Sequence, residues 1–581
     1  MILALFIFFI ASLIFTSPLA FNIANSIPGT GAGDGFLYLW NVSIFWQELM
    51  SGNNPFFTKM VLYPVGANLL FHDYSPLTNF LLGAFKNNLV LGMNILILIA
   101  FTLAGFFTFV LIKVITNNYL LSVIAGLFYS FSPIMFSYLL TEHYYYLFAA
   151  PYLPLSILTA LKFWQKCEIK YFLQLILIFW LVFFTSYYMS IVYAVMLATF
   201  FLTKLLLIKF FRNKTTSLLS VFKVMLSLLV YFIILPILVI SLFIINIKGS
   251  NEYIAPAGFA ANTCNADLAG YIIPNQAVPH LSSLSISLSE IFGYRSGGDT
   301  PSYYIGPLYL VLAMIALVKY RDNSNSVAIS IVGIIILLLA SGTKIQVGRN
   351  ILLEEIYTPF YWFSKLPFMG FIGCPVRFPI VVSLVVIILS FFLINDFVRK
   401  YKIPNIIIFL LLCGLFLLEY GIPKIQLTAI STPQVYQDIA RFSDKLSVLE
   451  LPSGLTETYG YFGYDYSILG LHAMQMYWQT IYKKPRIGGF ISRMPQGTYS
   501  FFREEPVISD LFKMTNYNNQ LTNIRYSKPE VERFIKQFHL GYIIFSPNKK
   551  QQEYLQVTEN LLGDIPYQKM YKEGFILLRF Y

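Results

Sequence analysis

The chain carries 28 Asp and Glu and only 5 His in 581 residues, so few positions have the residue types for acid–base or metal chemistry. Asp34 stands out. It lies in Gly31-Ala32-Gly33-Asp34-Gly35 and precedes the aromatic run Phe36-Leu37-Tyr38-Leu39-Trp40. Glycines let the backbone turn sharply and bring a carboxylate close to a ligand. Such a carboxylate can act as a general base or hold a metal. The competing reading is structural: Asp is a favoured helix N-cap, and the aromatic run suits a helix lying in a membrane interface.

Further candidates follow along the chain. His72-Asp73 sits in a loop over 63–77 marked by Pro, Gly and Asn. The pair could orient a substrate or bind a metal; otherwise Asp73 ends a turn before Pro76 while His72 packs. Glu142-His143 precedes Tyr144-Tyr145-Tyr146. Acids and a histidine gathered at the mouth of a helix bundle could share proton transfer or hold a divalent cation, magnesium or manganese. Otherwise Glu142-His143 is a polar connector. Arg377, in Cys374-Pro375-Val376-Arg377-Phe378-Pro379, can clamp a phosphate bidentately or snorkel to headgroups. Arg295, in Gly293-Tyr294-Arg295-Ser296-Gly297-Gly298, is a weaker candidate of the same type. The basic stretch Lys483-Lys484-Pro485-Arg486-Ile487-Gly488-Gly489-Phe490-Ile491-Ser492-Arg493 reads as a solvated loop, with anionic headgroups or a glycan as its other reading. Asn41-Val42-Ser43 fits a glycosylation sequon, a pattern that arises often by chance. There is no Walker loop, dinucleotide fingerprint, zinc spacing or GxSxG.

The elements that must hold these residues are membrane helices. The chain is 57% hydrophobic and 12% charged, with a net charge of +12 and a mean hydropathy of +0.66. A soluble protein is about a quarter charged. Soluble enzyme, disordered chain and disulfide scaffold are excluded as whole-chain readings. Apolar stretches predict about eleven spans, near 3–24, 91–112, 119–138, 146–164, 171–186, 188–207, 223–246, 305–319, 326–341, 377–395 and 404–420. The first reads as a retained helix, since it lacks the basic n-region of a signal peptide.

Lys and Arg set the orientation. The loops after spans two, four, six, eight and ten hold 14 basic residues against Glu168, Asp322 and Asp396. They are expected to be cytoplasmic, as is the N-terminus. Loops 25–90, 139–145, 247–304 and 342–376 and the region after span eleven are then outside. The positive balance is topological and suggests no nucleic-acid partner. Cys264 and Cys374 fall outside, where an oxidising compartment allows a disulfide. The expected organisation is a transmembrane domain, 1–421, and an extracytoplasmic α/β domain, 422–581. In the latter, 447–451, 542–545 and 575–580 read as strands and 531–540 as a helix.

An acid after the first span, an interfacial aromatic helix, a second acidic motif between spans three and four, and an outer C-terminal domain together resemble the GT-C superfamily of polytopic glycosyltransferases. The matching residues are Asp34 in GAGDGFLYLW and Glu142-His143 in LLTEHYYY. YPVGANLLFHDYSPL and VLELP … KKPRIGGFISRMP resemble bacterial YfhO-like members. The resemblance implies a polyprenyl-phosphate sugar donor in the inner membrane and a glycan, lipid or protein acceptor outside. Asp34 would be the base of an inverting transfer. His72, Asp73, Glu142 and His143 would position substrate or ligate a cation, and Arg377 and Arg295 would face the lipid phosphate. Asp34 lacks the adjacent second acid of some relatives. The alternatives are a lipid or glycolipid flippase, and a non-catalytic protein of envelope assembly. Spans nearly free of charge and the absence of a visible repeat weigh against transport.

Overall fold

The computed structural model describes residues 1–208, 237, 241, 264–274, 278–295, 302–348, 350–352, 354–366, 372–457, 460–462, 469–515 and 526–580. The chain forms two compact units. The first comprises Met1–Ala24, Met93–Asn246 and Pro256–Leu427; the second comprises Asn25–Gly92, Ile247–Ala255 and Thr428–Tyr581. The segment that carries Asp34 thus groups with the C-terminal region, across the expected division at 421.

The first unit is helical. The expected span 223–246 lies outside the described residues, two isolated positions apart; every other expected span contains a helix. Among the described residues, five helical stretches are long and apolar enough to cross a membrane: Leu89–Thr116, Tyr119–Leu140, Tyr144–Lys166, Tyr187–Leu207 and Pro375–Lys400. Ile2–Phe15, Ile169–Thr185, Pro307–Lys319, Ser324–Ala340 and Asn405–Glu419 are apolar but shorter. Length alone therefore supports five spans among the described residues, where ten of the eleven expected spans lie.

Proline sets several boundaries. The first helix, expected to reach residue 24, ends at Phe15 and gives way to a short 3-10 turn after Pro18. Tyr119–Leu140 is broken at Ser132-Pro133, where Ser132 is extended and Pro133 opens the next helix. Proline lacks an N–H and disfavours helical backbone in the residue before it. Close packing depends on glycine here. A Cβ on Gly126 would lie 2.4 Å from the ring of Phe8, which is buried in a cluster with Ala4, Phe109 and Val123.

The second unit contains a five-stranded sheet: β1 Ser447–Leu451, β2 Arg486–Ile487, β3 Leu540–Phe545, β4 Tyr567–Lys572 and β5 Phe575–Phe580. The order is β2-β1-β3-β5-β4. β2, β1 and β3 are parallel, and β5 and β4 continue antiparallel. β1 is buried throughout. Alternation sends Leu449 and Leu451 to one core and Val448 to another, so Glu450 shares the face of Val448. The helix Lys528–Phe538 opens with a capping box between Ser527 and Glu530.

The stretch read as a solvated loop is instead buried. Lys484 and Arg486 are 3% and 1% exposed. Lys484 Nζ meets Asp444 Oδ1 at 2.9 Å and the Phe442 carbonyl at 2.9 Å. Arg486 Nη2 donates to Gln475 Oε1 at 2.6 Å. Buried cations are tolerated when carbonyls and carboxylates receive them.

Candidate active site

Asp34 lies at the N-terminus of the helix Gly35–Met50, in the second unit. Its backbone carbonyl accepts the Tyr38 N–H at 2.9 Å, but its half-buried carboxylate makes no capping hydrogen bond. The structural reading of Asp34 as a side-chain cap is thereby removed.

One turn on, this helix grips the His72-Asp73 loop. Tyr38 Oη donates to Asp73 Oδ2 at 2.7 Å, and Asn41 Nδ2 donates to the Asp73 carbonyl at 2.9 Å. Asn41 is fully buried, so the sequon is not an accessible acceptor. Asp73 N–H donates to Ser492 Oγ at 3.1 Å. Ser492 N–H donates to His72 Nδ1 at 3.0 Å, which leaves the His72 proton on Nε2. Burial, then the charge of Arg493, holds His72 down to about 3, so its ring is neutral. The Trp40 ring stands edge-on to His72, and Trp40 Nε1 donates to Gln479 at 2.7 Å. Asp34 and the His72-Asp73 pair are thus carried by one helix–loop assembly. Ser492, Arg493 and Tyr38 join it without having been singled out for it; 420 residues separate His72 from Ser492.

The first unit gathers the other candidates. Glu142 and His143 form the turn between the helices Pro133–Leu140 and Tyr144–Ala149. Glu142 is fully buried with φ +63°, a left-handed backbone that is rare for a residue other than glycine. The turn is held by the His143 N–H on the Tyr138 carbonyl at 2.8 Å. It delivers His143 to Arg377. Thr141 Oγ1 gives its hydrogen to the Ser137 carbonyl at 2.7 Å. Its 2.7 Å contact with His143 Nδ1 must then be donated by the ring. Nε2 is left as an acceptor, and it faces Arg377 Nη2 at 3.5 Å. Arg377 Nη1 donates to Tyr146 Oη at 2.5 Å. The guanidinium carbon lies 4.6 Å from the centre of the Tyr146 ring and 5.3 Å from that of Tyr188. Half-buried and framed by aromatic faces, Arg377 has the setting of an anion receptor.

Arg295 is exposed past the helix Ser282–Phe292. Among the described residues no hydrogen bond or ion pair joins it to Arg377. Cys264 and Cys374 are paired as a disulfide. Among the described residues no three of His, Cys, Asp and Glu gather as a metal site. The guanidinium beside His143 also disfavours a cation there. Asp34 belongs to the second unit and Glu142 to the first.

A family described as a domain of unknown function, DUF6311, matches residues 4–418, most of the chain. It carries no YfhO-like designation. No curated protein matches. Among solved structures, the cryo-EM structure of the arabinofuranosyltransferase AftD from Mycobacteria is similar at 10% identity and a TM-score of 0.49. The match covers 99% of this chain and 39% of that one, so this chain spans well under two thirds of that protein's length.

Proposed function

The chain belongs to the DUF6311 family, and we propose that it is an integral membrane glycosyltransferase of GT-C type that works on the outer face of the inner membrane. The observation that carries the reading is the convergence of Arg377 with His143, Tyr146 and Tyr188. It joins two motifs read separately from the sequence into one cationic, aromatic-walled receptor. A polyprenyl-phosphate sugar fits it: the guanidinium meets the phosphate, and the apolar helices meet the prenyl chain.

In this reading the acceptor hydroxyl, on a glycan, lipid or protein, loses its proton to Asp34 as its oxygen attacks the anomeric carbon. The bond to the lipid phosphate breaks with inversion. Inversion needs a base on the acceptor side, and a phosphate departs without a general acid. Arg377, in the first unit, receives the phosphate of the donor. Asp73, oriented by Tyr38 and Asn41, supports the Asp34 loop and the acceptor. Half-exposure of the Asp34 carboxylate without a capping role is what such a base requires.

The test is complementation of a deletion strain, with mass spectrometry of lipid-linked sugars and envelope glycans. Asp34→Asn, expressed at the wild-type level, should lower product by about 100-fold or more, the usual contribution of a general base. An unchanged glycan profile would sink the base assignment. Accumulation of donor on the cytoplasmic side alone would favour a flippase.

A further inference from the structure

We propose that the Cys264–Cys374 disulfide positions Arg377, so that opening it weakens phosphate binding. The proposal rests on the reading of Arg377 as a phosphate receptor and adds a means of controlling it.

Both half-cystines hold the receptor through their backbone. The Cys264 carbonyl accepts the Val376 N–H at 3.0 Å, one residue before Arg377. The Cys374 carbonyl accepts the Arg377 N–H at 3.2 Å. It also accepts the Tyr188 hydroxyl at 2.5 Å, and Tyr188 supplies one of the two rings beside the guanidinium. The short turn Pro375–Arg377 thus hangs from the cystine at its start. Its far side is tied by the Tyr138 hydroxyl on the Arg377 carbonyl at 2.7 Å.

The segment around Cys264 is itself anchored. The Ala266 N–H donates to the Ala340 carbonyl at 2.8 Å, and Asn265 Nδ2 donates to the Ser341 carbonyl at 3.2 Å. The covalent bond therefore fixes the Arg377 turn to the end of the helix Ser324–Ala340 across 110 residues of sequence. Without it, the same register depends on single hydrogen bonds, each worth only about 1 kcal/mol net. A guanidinium fork needs a fixed approach to a phosphate, so a loosened turn costs affinity before it costs the fold.

Opening the bridge is a two-electron exchange. A dithiol reductant attacks one sulfur, becomes a cyclic disulfide itself, and leaves Cys264 and Cys374 as thiols after taking up its two protons. A dithiol protein of the extracytoplasmic compartment is the class of partner that could perform it.

The full chain in nanodiscs, in a Cys167→Ser/Cys413→Ser background that removes the two free thiols, provides the test. Binding of undecaprenyl phosphate, and separately of inorganic phosphate, is measured oxidised, after dithiothreitol, and after reoxidation, with the thiol state checked by mass. Reduction should weaken binding by about tenfold, the scale of one charge-assisted hydrogen bond, and reoxidation should restore it. Loss for the lipid alone assigns a lipid-borne phosphate; loss for both assigns phosphate itself. A Cys264→Ala/Cys374→Ala variant should bind weakly with or without reductant, at a thermal midpoint that shows it folded. If the reduced protein carries two thiols and binds as before, the proposal is overturned. If Arg377→Ala binds as tightly as wild type, it is the phosphate-receptor reading that fails.

Discussion

At Arg377 the planar fork matters as much as the charge. Arg377→Lys keeps the cation but loses the two-pronged donor and the stacking on Tyr146 and Tyr188. Undecaprenyl-phosphate affinity should fall by about tenfold, one charge-assisted hydrogen bond, while Arg377→Gln should fall further; equal binding by all three would deny the fork a role. Glu450 poses a different residue-scale question. It lies 3.6 Å from Arg486, yet its carboxyl is pushed up to about 7 from an ordinary 4.5. Burial dominates, since Arg486 turns its Nη2 toward Gln475 and leaves the pair too long for a hydrogen bond; Arg486 and the Tyr482 hydroxyl offset only part of it. A raised carboxyl means that the folded state holds a proton that the unfolded state has lost between pH 4.5 and 7. Stability therefore falls as pH rises through that window, by on the order of 3 kcal/mol in full. His72 and His472 act in the opposite sense. Both are held down to about 3 by burial, so the unfolded chain gains protons below 6.5 and stability falls with acid. In wild type these slopes oppose each other below pH 6.5. Glu450→Gln should expose the histidine slope, with a thermal midpoint that climbs from pH 5 to 7 and then levels. Tryptophan-fluorescence melts at pH 5, 6, 7 and 8 check this. A shift of the same size at every pH would show that the carboxyl does not titrate in the folded unit.

The elements decide where the acids stand. Gly31 begins the Asp34 loop at φ +73°, and a Cβ there would lie 2.8 Å from Thr428 Cγ2. Gly31→Ala therefore meets both a left-handed backbone and a methyl group, a strain of about 1–2 kcal/mol. Transfer activity should fall severalfold while the melting profile shifts only slightly, because the helix Gly35–Met50 beyond it is packed by Trp40 and Tyr38. Activity equal to wild type would mean that the loop's path does not govern Asp34. Element-level features were the most legible in the sequence. Apolar runs marked the strands at 447–451, 542–545 and 575–580, and the structure has strands there. The partners of the acids were not legible. Ser492 meets His72 only because the C-terminal region folds back onto the 25–92 segment, and no local pattern encodes such a contact. Lys484 and Arg486 read as solvated because charge is normally exposed. Their receivers, Asp444 and Gln475, lie at distances in sequence that a local reading does not span.

For the whole molecule, the distribution of the net charge of +12 is what the expected sidedness rests on. Basic residues crowd alternate short loops, as a chain oriented by its cytoplasmic side requires. The cysteines supply an independent argument. Cys264 and Cys374, on the expected outer side, are bonded, while Cys167, on the expected inner side, is a free thiol. Disulfides persist in oxidising compartments and are rare in reducing ones. The two signals have different physical origins, insertion charge and redox poise, and both fit the proposed sidedness. They predict a labelling pattern. A membrane-impermeant maleimide applied to intact spheroplasts should leave Cys167 unmodified and should modify it after permeabilisation. A cysteine introduced by Gln552→Cys, at an exposed site on the helix Gln551–Leu562 of the second unit, should react in intact spheroplasts. Labelling of Cys167 from outside would invert the whole assignment. Asp34, Arg377 and the C-terminal unit would then face a compartment where nucleotide sugars are at hand, and a lipid-phosphate donor would lose its rationale.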